Sequence, residues 1–340
     1  MATYGSNQGE LPFVVGKDVK AKLLYDIREQ LQVSKFAEKC DLSKHSGDTV
    51  EKTRLMTPDP VTTEMVGAND GVMTEQEYES LTFKMKRYGS WVPTHKHIVD
   101  TNDHPILQGA LETVQMQSSR SVETLSVDII QNGTSAFYAT GTSRVEVKDY
   151  LRAGLLDVQQ RYLERSEAPT ITKMFDSTSN WGEQALDACY ITFCPHELTN
   201  DFRAMLGFTR VEDYSSRIKP MLNEIGTYNR QRVIATGFFK GRLGAGATLS
   251  GDDLTNIMNT GNKADVFSVV TFGKGAFAFG GLQGENAMNI NVHKPTVSDT
   301  DKHGKKGHVA WDCYFGGLIE QQKFISRIEC VAKTDSALAV

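Results

Sequence analysis

The stretch DHPILQGALETVQMQSSRSVETLSVDIIQNG, Asp103–Gly133, has the clearest helical pattern in the chain. Apolar or small residues recur at steps of three and four, which is the spacing of one face of an α-helix. Asp103 followed by Pro105 is typical of a helix start, and Asn132-Gly133 of a helix end. We predict one helix of roughly 27 residues, about 40 Å long. Such a helix is a spine that extends beyond a single compact core. The predicted buried face consists of Leu107, Leu111, Val114, Ser118, Val122, Leu125 and Ile129.

The residues before this helix form a long excursion in which opposite charges are segregated. Thr49–Thr57 and Leu81–Ile98 have the composition of strands, and the second, LTFKMKRYGSWVPTHKHI, carries four cations. Residues 58–80 between them hold six acids and no Lys or Arg. A lone two-stranded hairpin is marginally stable, and long irregular loops are uncommon inside compact domains. We therefore predict that the excursion is held by a contact between subunits.

Five residues of the excursion are the candidates for this intersubunit contact. Lys84, Arg87 and Trp91 lie on the returning strand, whereas Glu64 and Asp70 lie in the acidic segment. Leu81, Phe83 and Met85 alternate with cations, and Arg87 breaks the alternation on the apolar side, where it can meet an acid of a neighbouring subunit. Trp91 is either an anchor of that contact or an ordinary core residue at the base of the hairpin; both interpretations stay open.

After the spine helix, the sequence pattern changes from one long helix to shorter helices and strands, which predicts a second domain. We predict a helix over Val147–Arg165 with Leu151, Leu155, Val158 and Tyr162 on one side. The predicted strands are Ala188–Phe193, Val233–Phe239 and Val266–Phe272. Pro195 starts a helix, and 239–262 is a surface loop. At the N-terminus, a polar arm precedes a short amphipathic helix over Lys22–Lys39. At the C-terminus, two alternating runs predict strands of a sheet: Val309, Trp311, Cys313 and Phe315, then Phe324, Ile328 and Cys330.

The bulk composition bounds the class of protein. The chain has 340 residues, 42 acids against 37 bases and a formal net charge of -5. This charge argues against a protein whose task is to neutralise phosphates. No run of about 18 apolar residues and no signal-peptide layout is present. We therefore expect a soluble protein made in the cytosol, without a membrane partner. The five scattered cysteines are read as free thiols.

Candidate chemical sites in the sequence are weak. In a strand, His95 and His97 would have the spacing of two metal ligands, but no third ligand is identified nearby. Cys189, Cys194 and His196 could be three zinc ligands, but we interpret the cysteines as packing residues. The glycine-dense loop Gly241–Asp253 lacks every phosphate-binding pattern. A two-domain cytosolic enzyme with a nucleotide or metal site in these segments is the alternative hypothesis. A tail or portal-adjacent virion protein is a third.

The order of elements and several strings resemble the tailed-phage major capsid proteins with the Hong Kong 97-type fold, with the closest similarity to the N4-like podovirus group. The resemblance covers about residues 22–333. It rests on the spine helix through QNGTSAFYA together with three further strings: RYGSWVPTHKHIVD (Arg87–Asp100), CYITFCPHELTNDFRAML (Cys189–Leu206) and WDCYFGGLIEQQKFISRIECVAK (Trp311–Lys333).

The resemblance implies an α+β fold in four parts. These are an N-terminal arm and short helix (1–47), an extended E-loop hairpin (48–98), a P-domain built from the spine helix and the C-terminal strands (99–133 and 309–340), and an A-domain (134–308). It also implies copies arranged as hexamers and pentamers of an icosahedral head around double-stranded DNA. Because the chain starts at Met1 with a short arm, we expect no cleaved scaffold segment.

The resemblance implies no catalytic residue, cofactor or metal. Its further partners would be scaffold, portal and decoration proteins, with assembly in the host bacterial cytoplasm and a final location in the virion. The negative net charge predicts that packaged DNA is contacted only weakly on the inner face, since extensive phosphate contacts would oppose both packing and release.

Overall fold

The structure is a computed structural model of the chain. It describes residues 32–43, 47–62, 64, 73–101, 106–175, 183–214, 220–281, 289–297 and 301–334, of which 173–175 and 183–187 are described by their backbone alone. The described helices are α1 (Lys96–Thr101), α2 (Ile106–Gln131), α3 (Ala153–Arg165), α4 (Thr199–Arg203) and α5 (Asp253–Asn256). The described strands are β1 (Glu38–Lys39), β2 (Thr49–Leu55), β3 (Tyr78–Lys84), β4 (Lys86–His95), β5 (Ala136–Tyr138), β6 (Ile171–Phe175), β7 (Glu183–Cys194), β8 (Thr209–Arg210), β9 (Glu224–Tyr228), β10 (Gln231–Ala235), β11 (Asn259–Thr260), β12 (Lys263–Ala264), β13 (Val266–Phe272), β14 (Phe277–Gly280), β15 (Asn289–His293), β16 (Lys306–Ile319) and β17 (Ile325–Val331).

The spine helix α2 confirms the predicted long helix over Ile106–Gln131, while Asp103 and Pro105 lie outside the described residues. Its buried face differs from the single predicted stripe. Ala110, Val114 and Ser118 are buried in the first half, and burial passes to the opposite side in the second half. At 100° per residue, this is a change of about half a turn. The reason is that α2 packs on two different sheets. The buried residues of the second half are Glu123, Ser126, Val127, Ile130 and Gln131.

The first sheet lies under the N-terminal half of α2. It has the order β1-β14-β16-β15, and β4 pairs with β16 as well. Val309, Trp311 and Cys313 of β16 pack against Ala110 and Val114 of the helix. The alternation predicted for this strand is therefore confirmed over Lys306–Phe315: the odd-numbered residues there are buried and the even-numbered residues are more exposed.

The second sheet has eight strands, in the order β5-β17-β13-β7-β10-β9-β8 with β6 beside β7. Apolar clusters cover both of its faces, one with Val127 and Ile130 of α2 and the other with Leu156 of α3 and Phe202 of α4. Every residue of β13 and β17 is consequently buried. The predicted strand Val266–Phe272 is confirmed with the same bounds.

Other predictions for the second domain need correction. The strand predicted over Val233–Phe239 ends at Ala235, and Ala188–Phe193 is part of the longer β7. The helix predicted over Val147–Arg165 begins only at Ala153. Its inward side carries Leu156, Gln159, Gln160 and Leu163 rather than the predicted apolar stripe. Gln159 is tolerated there because its amide donates to Ser326 O at 3.0 Å and accepts from Thr271 Oγ1 at 2.9 Å.

The termini also differ from prediction. The two C-terminal strands belong to different sheets, because β17 pairs with β13 and β5 while β16 pairs with β4, β14 and β15. Residues 22–31 of the predicted N-terminal helix lie outside the described residues. Its last part, Val33–Phe36, is a single 3₁₀ turn that is followed by β1.

The excursion contains an antiparallel hairpin of β2 and β3, in register from Thr49↔Lys84 to Leu55↔Tyr78. The prediction of one continuous strand over Leu81–Ile98 is wrong. The structure divides this stretch into the end of β3, the strand β4 and the start of α1. The chain leaves the hairpin at Met85, whose N–H donates to Asp48 O at 2.8 Å, and β4 then joins the first sheet. It turns helical after His95. Among the described residues, no helix combines the length and hydropathy of a membrane span.

Candidate intersubunit surface

The base of the hairpin is fixed to its own chain. Val50, Phe83 and Met85 are buried beside Leu318 of β16, which confirms that Phe83 and Met85 share the apolar side of the strand. Gly316 makes this approach possible, since a Cβ there would lie 2.9 Å from the Phe83 ring. The hairpin base therefore has an apolar partner within the chain.

Ionic contacts reinforce this base at the end of β16. Lys52 forms an ion pair with Glu320, and Arg54 donates to Glu320 O at 2.8 Å and pairs with Glu79. Burial disfavours the charge of Lys52 and is the largest single influence, but the hydrogen bond to Glu320 and the negative charges around Lys52 together outweigh it and raise the pKa of Lys52. The direction of the hairpin relative to the first sheet is thus set by these charged contacts as well as by packing.

The described residues at the far end of the hairpin show no ion pair to the rest of the chain and are mostly apolar or acidic. Its large apolar side chains are exposed, with Met73 at 84%. Exposed acids, Asp59, Glu64, Glu75 and Glu77, lie in the same segment. Asp70 lies outside the described residues. An exposed apolar surface mixed with one sign of charge is typical of a contact site. The exposed apolar residues are Leu55, Met56, Val61, Met73 and Tyr78.

The second part of the candidate surface is the face of the first sheet opposite α2, which we call the open sheet face. Strand register and alternation define it as Arg87, Gly89, Trp91, Pro93, Asn289, Asn291, His293, His308, Ala310, Asp312 and Tyr314. Trp91 is 63% exposed. The interpretation of Trp91 as a core residue is therefore wrong within this chain. The His308 ring meets Trp91 edge-on at 6.4 Å and stacks on His293 at 5.2 Å.

The two predicted cations of this region have partners in the chain. Arg87 donates to Asp312 Oδ2 from Nε at 3.0 Å and from Nη2 at 2.7 Å, and lies 5.7 Å from the centre of the Tyr314 ring. Lys84 pairs with Asp48 at 2.8 Å, a hydrogen bond that lowers the pKa of Asp48. Asp312 thus supplies the acid that was expected from a neighbour, and any contact of Lys84 or Arg87 across a subunit boundary stays a prediction.

A buried carboxylate that the sequence pattern did not reveal joins the N-terminal segment to the spine. Glu123 of α2 is fully buried, and its Oε1 accepts the N–H groups of Gln32 at 2.8 Å and Val33 at 2.7 Å. Its Oε2 has no hydrogen-bond partner among the described residues. Burial raises the pKa of Glu123, although the N–H groups oppose the shift. Glu123 therefore fastens the end of the predicted arm to α2 at an electrostatic cost.

We expect the Glu123→Gln variant to change how stability depends on pH. Because the folded-state pKa is raised, the native chain binds more protons than the unfolded chain between the ordinary and the raised value, so wild-type stability falls as pH rises through this interval. Glutamine keeps an oxygen acceptor for the two N–H groups and has no such titration. Urea unfolding across about pH 4–8 should show the variant gaining on the wild type as pH rises.

Asp128→Asn is the control for this measurement, because Asp128 is an exposed acid on the same helix. If the free energies of unfolding of the wild type and of Glu123→Gln change with pH in parallel, the buried Glu123 carboxylate does not contribute to the pH dependence of stability.

The segments of the alternative hypothesis do not form a site. Cys189 and Cys194 lie on opposite faces of the second sheet, in separate apolar clusters, as the packing interpretation predicts. His95 ends β4 whereas His97 lies in α1, and both are exposed. No group of three or more metal-ligating side chains occurs within the described ranges.

The glycine-dense loop is packed against the second sheet rather than open to a phosphate. Its N–H groups are used within the chain: Arg242 donates to Val266 O at 2.8 Å, Gly244 to the Asp265 carboxylate at 2.6 Å and Gly246 to Ala264 O at 2.9 Å. A phosphate-binding loop needs such groups free to face the ligand. The geometry therefore gives the nucleotide-site hypothesis no support.

Comparison with known proteins identifies the fold. A scan of protein-family models and a search of curated proteins find no match. Solved structures do match. The capsid of Ralstonia phage GP4 has a TM-score of 0.64 at 11% identity, covering 98% of both chains. The cyanophage P-SCSP1u capsid gives 0.62 at 9%, covering 93% of both. The cyanophage Pam1 capsid gives 0.59 at 15%, covering 98% of this chain and 100% of the other.

These likenesses extend over the whole architecture, so the chain has the α+β, Hong Kong 97-like fold of phage capsid structures. The fold class predicted from the sequence is confirmed. The narrower similarity to the N4-like group stays a prediction.

Proposed function

We propose that this chain is the major capsid protein of a tailed phage and assembles into an icosahedral head enclosing double-stranded DNA. The observation that carries the proposal is the end-to-end match in fold to structures described as phage capsids, at nearly equal chain length. The proposal includes hexamers and pentamers of this chain, with scaffold, portal and decoration proteins as further partners, and no catalytic role.

The domain division follows from this proposal. Residues 1–47 would be the arm, 48–98 the E-loop, 99–133 with 309–340 the P-domain, and 134–308 the A-domain. The pairing of β17 with β13 and β5 favours assigning Ile325–Val331 to the A-domain sheet instead. The P-domain would then consist of α2 and the first sheet, and the chain would return to the A-domain at its end.

The contact between copies would join the two parts of the candidate surface. The far end of the hairpin offers exposed apolar and acidic groups, and the open sheet face of a neighbour offers Trp91, His293 and His308. A large aromatic ring with polar neighbours is typical of an interface anchor. Because each copy both gives a hairpin and receives one, weak contacts repeated around a closed shell add to a stable assembly.

Electron microscopy of the expressed, purified chain tests the proposal. We expect closed shells of uniform size, either from the chain alone or with the scaffold protein of the same phage. Monomers under every condition, with scaffold and portal proteins present, would contradict it. In whole particles, a copy number of only a few per particle would favour the tail or portal-adjacent alternative.

A further inference from the structure

A single buried carboxylate holds three arginines in the second sheet. Glu329 of β17 is 0% exposed. Arg144 donates to it from Nε at 2.7 Å and from Nη2 at 2.6 Å, and Arg242 donates from Nη1 at 3.1 Å. Arg327 Nε lies 2.9 Å from the carboxylate as an ion pair, and Arg327 Nη1 donates to the carbonyl of Gln131, the last residue of α2. Arg327 thus has two negative partners, the carboxylate and the helix C-terminus.

This cluster has an excess of positive charge. Among the described residues, Glu329, Arg144, Arg327 and the Tyr138 phenol act on Arg242, and burial together with Arg144 lowers the pKa of Arg242. The carboxylate that acts on Arg144 is Glu329 as well. One carboxylate and one helix terminus cannot neutralise three guanidinium groups. The cluster therefore favours an additional anion.

Arg144 and Arg242 are partly exposed and have N–H donors that Glu329 does not use. The Arg144 and Arg242 side chains are 33% and 26% exposed, and both donate to the same Glu329 oxygen, which brings their guanidinium groups together. The donors that remain, on Nη1 of Arg144 and on Nε and Nη2 of Arg242, have no hydrogen-bond partner in the described part of the chain. A fork of planar donors matches the two oxygens of a carboxylate.

The surroundings favour a protein ligand over a nucleic acid. Val145 is 69% exposed and Leu243 is 71% exposed, and each adjoins one of the two arginines in sequence. Arginine beside exposed apolar side chains is typical of a protein interface, whereas DNA backbones are held by polar and charged contacts. The acid excess of the chain, 42 against 37, supplies carboxylates on a second copy.

We propose that Arg144 and Arg242, oriented by Glu329, form a docking site for a carboxylate of a second copy of this chain, with Val145 and Leu243 as its apolar rim. The proposal rests on the proposed function for the identity of the occupant. The site itself, as a binder of oxyanions, does not depend on it.

The test uses Arg242→Gln, which leaves Glu329 paired with Arg144 and Arg327. The matched control is Arg152→Gln, an exposed arginine paired with Asp149 at 3.2 Å. In the isolated chain, sulfate against chloride at equal ionic strength should raise the wild-type and control unfolding midpoints by about 1–3 °C more than that of Arg242→Gln. The variant keeps only the general sulfate effect that the control also shows.

In the assembly arm, DNA-free shells are formed by each variant. Arg242→Gln should need about tenfold more protein to assemble, and the control should not. An equal sulfate response in all three proteins would overturn the site. A defect confined to DNA-filled particles would overturn the carboxylate assignment in favour of phosphate. Failure of the wild type to form shells at all contradicts the proposed function, while the sulfate arm still reports on the site.

Discussion

Replacing Glu329 by glutamine should lower the free energy of unfolding by about 3–5 kcal/mol, because this fully buried carboxylate compensates the charge of three partly buried guanidinium groups. Glutamine has nearly the same shape and still offers one oxygen acceptor, so the loss measures charge rather than packing. Urea or guanidinium unfolding of the purified chain gives the value, from the shift in midpoint at constant slope.

The double variant Glu329→Gln with Arg242→Gln provides the internal check. Removing one of the uncompensated cations should recover part of the loss, which is a coupling between the two sites that a packing defect would not produce. Glu320→Gln is the control, because the Glu320 carboxylate is 14% exposed and forms an ion pair with Lys52, whereas the fully buried Glu329 carboxylate lies against three arginines. Glu329 and Glu320 variants of equal stability would contradict the charge-balance argument.

The second large effect is expected on assembly. Trp91→Ala should leave the free energy of unfolding of the monomer within about 0.5 kcal/mol of the wild type, since the ring is mostly exposed. The same change should raise the protein concentration needed for shell formation about thirtyfold, which corresponds to the loss of about 2 kcal/mol at an aromatic anchor. Light scattering against concentration, with electron microscopy of the products, measures the threshold.

Trp311→Ala is the matched control for Trp91→Ala. Trp311 lies on the neighbouring strand but on the opposite face of the same sheet, is buried against α2, and donates from Nε1 to Gln117 Oε1 at 3.1 Å. Its removal should cost about 3–5 kcal/mol of monomer stability. If the Trp91 variant unfolds like the Trp311 variant, or assembles at the wild-type concentration, the open sheet face is not a contact surface.

The sequence revealed those elements in which burial follows a simple period. The spine helix, β13 and the alternation of β16 were predicted because a one-sided or fully apolar segment leaves a direct pattern. Sheet membership was not predictable in the same way. β17 is buried on both faces, so its side chains do not indicate which strands lie beside it. Likewise, the rotation of the buried face along α2 arises from its packing on two sheets.

The candidate surface was predicted in part. The sequence left two roles open for Trp91, an interface anchor or a core residue. The exposure of its ring in the structure excludes the core role within this chain. The intrachain partner of Arg87 was not predicted, because Asp312 lies 225 residues away and is brought near by strand pairing. A contact of Arg87 with a neighbouring subunit stays a prediction. Glu123 and Glu329 were missed because charged residues are normally expected at the surface. The signal in the sequence was their position directly beside apolar residues, Val122 and Cys330.

The strand β16 also determines how the protein would bear force. The antiparallel ladder from Lys306↔His95 to Phe315↔Lys86 lies parallel to the direction in which β4 continues from the hairpin. Tension applied to the hairpin along β4 therefore acts in shear, so the rungs of the ladder resist together instead of opening one after another. Glu320, the residue that follows β16, forms an ion pair with Lys52 of the hairpin. In a shell under outward pressure from packed DNA, this geometry would carry load from one copy into the spine of the next without peeling the sheet apart.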